Sequence, residues 1–158
     1  MTLEDLGQRV ELENARITEI RKKTTMLFNP EKKEICIEDF DQLKILGQGA
    51  FGKVILSQKK DNKKIYAIKI LKKREILATD QLEHTLAEKL ILSHVNHPFL
   101  VGLEYSFQTT ERVYFVMEFM KGGEMFQHLR KVKKFTEQQA KFFAACVTLG
   151  LGHLHTKN

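Results

Sequence analysis

Between Gly47 and Leu71 the chain reads GQGAFGKVILSQKKDNKKIYAIKIL, a glycine turn followed by two apolar, β-branched runs joined by a polar turn. No other stretch restricts the fold as much. Gly47, Gly49 and Gly52 have the G-x-G-x-x-G spacing that lets backbone N–H groups approach an anion. That spacing suits a dinucleotide fold, a flap over nucleotide phosphates, or an ordinary hairpin turn. A dinucleotide fold needs a helix directly after the glycines, because the pyrophosphate rests on its N-terminus. Here a strand pattern, FGKVILS, follows instead, and KIYAIKIL returns antiparallel to it. The Lys-Ser/Thr ending of a P-loop is absent as well. The glycines therefore join two antiparallel strands and lid whatever binds beneath them.

Alternation along the returning strand puts Ile65, Ala67 and Lys69 on one face and Tyr66, Ile68 and Ile70 on the other. A lysine inside AIKIL is costly to bury unless its ammonium meets an anion. Glu88, on the helix that follows, is the candidate partner. The alternative is that both side chains are simply solvated.

The remaining pattern is α+β. Leu3, Leu6, Val10, Ile17 and Ile20 predict an amphipathic helix in an extension over residues 1–34, with Pro30 marking a linker. From Ile35, ICIEDFDQLKILG, KVILS and KIYAIKIL predict an antiparallel meander. TDQLEHTLAEKLILSHV predicts a helix with a capping box at Asp80 and Glu83 and an apolar face at Leu82, Leu86 and Leu90. FLVGLEYSFQ and RVYFVMEF read as strands, GGEMFQHLRK as a helix. A last helix over FTEQQAKFFAACVTLGLGHLH carries a Thr136–Gln139 capping box, and Phe143, Val147, Leu151 and Leu154 line one side of it.

Composition narrows the function classes. With 158 residues, 42% hydrophobic and 29% charged, the chain is globular. The net charge of +6 is spread over separate clusters, which favours a solvated basic surface over a nucleic-acid stripe. Two cysteines, Cys36 and Cys146, and no apolar leader or span predict a reducing, intracellular setting, most simply the cytoplasm. Thr2 stands where myristoylation would need glycine. His94 with His97, or His153 with His155, lack the further ligands of a metal site, so none is expected.

Taken together, LGQGAFGKV, YAIKIL, HTLAEKLIL, HPFLVGLEYSF, VMEFMKGGEMFQHL and FTEQQAKFFAA resemble the AGC group of serine/threonine protein kinases from Phe40 to Asn158. The resemblance implies an antiparallel five-stranded small lobe with its helix and hinge over residues 35–120, and the first helices of the large lobe over 121–158. It further implies that Gly47, Gly49, Phe51 and Gly52 form the flap over ATP, that Lys69 holds the α- and β-phosphates, and that Glu88 orients Lys69. Leu46, Val54, Ala67, Met117 and Met125 would line the adenine slot, each with a plain core reading beside it. Met117 matches the gatekeeper, and the backbone of Glu118 and Met120 would bond adenine. Glu124 falls where the family contacts the ribose and a substrate arginine, so protein substrates with basic motifs are expected. His84 resembles the position that approaches a phosphorylated activation loop, and Leu92 and Leu103 resemble hydrophobic-spine members. Lys73, Leu77, Tyr105 and Val113 match the groove that receives a hydrophobic motif.

A complete kinase also needs an aspartate near the substrate hydroxyl and further groups on Mg2+. Every aspartate here lies at or before Asp80. The resemblance thus implies the N-terminal part of a catalytic domain, ending before the catalytic loop and inactive alone. A non-catalytic ATP-binding or docking fragment is the alternative, with a basic nucleic-acid module behind it.

Overall fold

The computed structural model describes residues 35–157 together with Leu12, Ala15 and Thr18, which are helical. Leu3, Leu6, Val10, Ile17, Ile20 and Pro30, which carried the expected N-terminal helix and linker, lie outside the described residues. Packing divides the chain into Met1–Ile35 and Cys36–Asn158.

The first strand starts later than the β pattern from Ile35 suggests. Ile37–Asp39 forms one 3-10 turn. The Cys36 N–H donates to Asp39 Oδ2 at 2.9 Å, and this local side-chain bond outcompetes extension of the ladder. The strands are β1 (Phe40–Gly49), β2 (Gly52–Lys59), β3 (Ile65–Lys72), β4 (Leu103–Gln108) and β5 (Arg112–Glu118). They form a five-stranded sheet in the order β1-β2-β3-β5-β4, every neighbouring pair antiparallel. Between β2 and β3, Asn62 Oδ1 accepts the Lys64 N–H at 2.9 Å and Lys63 takes φ 57°, so the polar KKDNKK closes its own turn.

β1 and β4 are the two edges, and a flat sheet would hold them roughly 19 Å apart at ordinary strand spacing. Yet the rings of Phe40 on β1 and Phe107 on β4 stack with centroids 6.2 Å apart. The sheet is therefore strongly curled. Its concave face buries Phe40, Ile55, Tyr66, Ile68, Phe107 and Val116. The cross-strand row Ile55↔Ile68↔Val116 confirms that Tyr66, Ile68 and Ile70 share this face, as alternation requires.

The other face is covered by helices. A short helix absent from the sequence reading, α1 (Lys73–Ala78), drops Ile76 into a cluster with Leu71, Val113 and Phe115. The longer α2 (Leu82–His94) does not use the expected capping box. Asp80 sits at φ 54°, Gln81 occupies the cap position, and no side chain caps the helix. Its inward face also differs: Leu82 and Leu86 are half-buried, but Lys89 is 5% exposed while Leu90 is 53% exposed. Lys89 follows Leu82 by seven residues and so lies on the same helical row.

Beyond β5 come α3 (Met125–Val132) and α4 (Glu137–His155). The Thr136–Gln139 capping box is present: Thr136 Oγ1 accepts the Gln139 N–H at 3.2 Å and Gln139 Oε1 accepts the Thr136 N–H at 3.0 Å. The inner face of α4 runs through Phe143, Cys146, Gly150, His153 and Leu154, whereas Val147 and Leu151 are 56% and 50% exposed. The small Gly150 decides this rotation. A Cβ there would lie 3.3 Å from a Leu100 methyl and 3.4 Å from the Phe99 carbonyl, so the helix approaches the 97–100 segment on its glycine side. His153 then stacks on His97, centroids 5.0 Å apart.

Candidate functional site

Register assembles the site from separate strands. Lys69 pairs with Val54 on one side and Phe115 on the other, and Ala67 with Leu56 and Met117. Val54, Ala67, Lys69 and Met117 therefore share the helix-side face of the sheet. Directly paired residues point the same way.

Lys69 Nζ donates to both carboxylate oxygens of Glu88, at 2.6 and 2.8 Å. The side chains are 30% and 37% exposed, so the pair lines an open cleft and is not sealed in the core. Exposed pairs of this kind contribute only about 0–1 kcal/mol to stability. What this one supplies is position, a bidentate clamp holding an ammonium beneath the glycine turn. Beside it Phe51, Leu71, Gln81, His84 and Thr85 enclose a pocket of roughly 210 Å3. Gln81, His84 and Thr85 precede Glu88 by seven, four and three residues and so share its helical row, a signal the sequence held but the reading did not use. His84 Nδ1 lies 3.1 Å from Gln81 Oε1.

The three glycines have different physical reasons. Where a Cβ would stand on Gly47 or Gly49 there is no atom within 4 Å, which leaves open space for a ligand. A Cβ on Gly52 would lie 1.9 Å from the Ile70 carbonyl oxygen. Gly52 is thus required by the approach of β3, not by space under the lid. The Lys72 N–H donates to the Phe51 carbonyl at 3.0 Å and ties the turn down next to it.

Leu46 is the extra residue where β1 and β2 shift register, unpaired between the Ile45–Ile55 and Gly47–Val54 pairs. Leu46, Met120 and Met125 are each about half exposed, which separates them from core residues. Glu118 ends β5. Glu124 is the N-cap residue of α3, its side chain makes no capping bond, and its carboxylate has no partner among the described residues. The preceding turn is held by His128, whose Nε2–H donates to the Gly122 carbonyl at 2.6 Å, and Gly123 takes φ 72°. Leu92 and Leu103 are half-buried, and Leu103 packs on the Leu71–Phe115 cluster. Of the expected docking groove, Val113 is buried on the helix side and Lys73 and Leu77 are half-buried, but Tyr105 pairs with Val116 and packs edge-on against Tyr66 on the concave face, so alternation along the strand removes it from the groove.

The open glycine lid and the clamped lysine fit a phosphate-bearing ligand: the space at Gly47 and Gly49 is unfilled, and Phe51 of the turn lines one pocket with Lys69. They do not fit Mg2+ equally. Among the described residues no group of three or more His, Cys, Asp or Glu could hold a metal ion. Nor is any helix among them long and apolar enough to cross a membrane.

A curled five-stranded sheet whose glycine turn overhangs a lysine–glutamate pair defines a nucleotide-binding lobe. Residues 40–158 match the family model for the protein kinase domain, and the chain belongs to that family. It is 48% identical over 127 residues to a RAC family serine/threonine-protein kinase homolog of Dictyostelium discoideum, covering 80% of this chain and 29% of that protein. It is 49% identical over 125 residues to the RAC serine/threonine-protein kinase of Drosophila melanogaster, covering 79% and 20%. Against serine/threonine-protein kinase Sgk3 of Rattus norvegicus it is 48% identical over 129 residues, covering 81% and 25%. These relatives belong to the AGC group. The chain spans between a fifth and a third of their length.

Proposed function

We propose that the chain is the ATP-binding portion of a serine/threonine protein kinase that transfers the γ-phosphoryl group of ATP to hydroxyls of intracellular protein substrates. The observation that carries this is the bidentate Lys69–Glu88 pair under an open glycine turn. ATP, when bound, supplies the transferable phosphoryl group. Lys69 neutralises phosphate charge, and Glu88 keeps its ammonium in place. Backbone amides of the turn from Gly47 to Gly52 add donors at no reorganisation cost. Val54, Ala67 and Met117 give the base an apolar floor, with Leu46, Met120 and Met125 at its open side. The untied Glu124 carboxylate suits a ribose hydroxyl or a basic substrate side chain. Lys73, Leu77 and Val113, on the helix side of the sheet, are the positions left for a hydrophobic motif; Tyr105, on the opposite face, takes no part.

The test is Lys69→Met. Removing the clamp is expected to lower turnover in the complete kinase at least a hundredfold, about 3 kcal/mol of transition-state stabilisation. The unfolding midpoint should barely move. Unchanged turnover removes Lys69 from the mechanism.

The lack of any aspartate after Asp80 favours a second, narrower reading for these 158 residues by themselves: they bind nucleotide without turning it over. Calorimetric titration with ATP, and with NAD as control, alongside a phosphorylation assay on a basic peptide, separates the two. ATP binding without phosphate transfer is the expected result for the isolated chain.

A further inference from the structure

At the far end of α3 from Glu124 stands a group of cations that no described carboxylate neutralises. Arg130, Lys131, Lys133 and Lys134 are all exposed, and none has a carboxylate partner among the described residues. Other surface lysines are matched: Lys60 lies 3.8 Å from Asp41, Lys64 3.4 Å from Glu104, and Lys141 2.7 Å from Glu137. That last pair occupies the acid nearest the cluster in sequence. Lys133 takes φ 66°, ψ −41°, and the Lys134 N–H donates to the Val132 carbonyl at 2.8 Å, a tight and strained three-residue turn. It ends α3 abruptly and divides the cations between the last helical turn and the connection to α4. Phe126, one turn before Arg130 on the same row, is exposed as well.

α3 thus has an untied acid at its start and free cations at its end. From Glu124 to the cluster the helix rises roughly 9–12 Å, which an extended peptide covers in about three or four residues. A polyanion such as nucleic acid, or an anionic membrane, would bring negative charge against Glu124 as well. A peptide carrying a basic residue and, a few positions away, acidic ones meets both ends with opposite charge.

We propose that Arg130, Lys131, Lys133 and Lys134 form a docking surface for an acidic stretch of the protein substrate, three or four residues from the basic residue taken by Glu124. The spacing rests on the role given to Glu124 above. The test is fluorescence anisotropy on the purified chain with two labelled peptides. Each has one arginine, followed at that distance by either Asp-Glu-Glu or Asn-Gln-Gln. The acidic peptide should bind about tenfold more tightly at low salt, and the advantage should shrink as ionic strength rises to about 300 mM. Replacing all four cations with glutamine should abolish the difference without moving the unfolding midpoint, since all four are on the surface. Equal affinities, no binding of either peptide, or tighter binding to phosphatidylserine vesicles or single-stranded DNA would overturn the proposal. The readout needs no turnover, so failure of the phosphoryl-transfer reading, which Lys69→Met tests in the complete kinase, leaves the peptide result standing. A preference that survives Glu124→Gln undiminished supports the surface while removing the role of Glu124.

Discussion

Lys89 is the residue whose surroundings most oppose its chemistry. It lies buried on the inward row of α2, and desolvation pushes its ammonium down to about 8 from the ordinary 10.5. Because the folded form gives up this proton more readily than the unfolded form, the cost of the buried charge is fully present below pH 8. It is relieved as pH rises from about 8 toward 10.5. The contribution of Lys89 to stability is therefore expected to improve across that window. Urea midpoints at pH 7.5 and 9.5, wild type against Lys89→Met, check this: the gap between the two proteins should narrow at the higher pH. Gly52 gives a second test at this scale. Gly52→Ala puts a methyl group into the β3 backbone and should cost ~2 kcal/mol or more. Gly47→Ala and Gly49→Ala meet only open space and should stay within about 0.5 kcal/mol. If ATP affinity falls for the latter two without loss of stability, the lid and the sheet constraint have been separated.

Among the elements, α4 is held at its start by the reciprocal Thr136–Gln139 bonds and along its length by Gly150 and His153 against the 97–100 segment. Thr136→Ala leaves the Gln139 N–H without its acceptor and should lower stability by about 1 kcal/mol. Denaturant unfolding followed by far-UV circular dichroism measures it. A loss below a few tenths would mean that packing, not the cap, decides where α4 begins. The sheet is a different kind of element. Its curl buries both faces of β5, where Val113 and Phe115 meet helices and Tyr114 and Val116 do not, so every residue from Val113 to Val116 is buried.

At the scale of the whole molecule, α4 leaves Phe142 and Leu149 exposed on one flank of its buried row and Val147 and Leu151 exposed on the other. Exposed apolar rows of this kind favour association. The purified chain is expected to self-associate at high concentration, and Val147→Ser with Leu151→Ser should shift it toward monomer on size-exclusion chromatography without lowering its unfolding midpoint. An unchanged elution profile would show that this face does not drive association.

The α+β class, the antiparallel meander, the faces of β3 and the capping box of α4 were legible in the sequence, because each follows from a local period or a side chain three residues from its partner. The pairing of Lys69 with Glu88 was legible as a possibility. Only tertiary structure decided it, since the two are nineteen positions apart and a helix rotation intervenes. The same rotation chose Lys89 over Leu90 for the interior, and Gly150 turned α4 away from its Val147–Leu151 row. Gly52 could not be told from Gly47 and Gly49 by spacing. What separates them is the distance to the Ile70 carbonyl, set by strand register. Periodicity states which residues share a face. Which face turns inward depends on where small residues let backbones approach and where charges find partners, and both are properties of the packed chain.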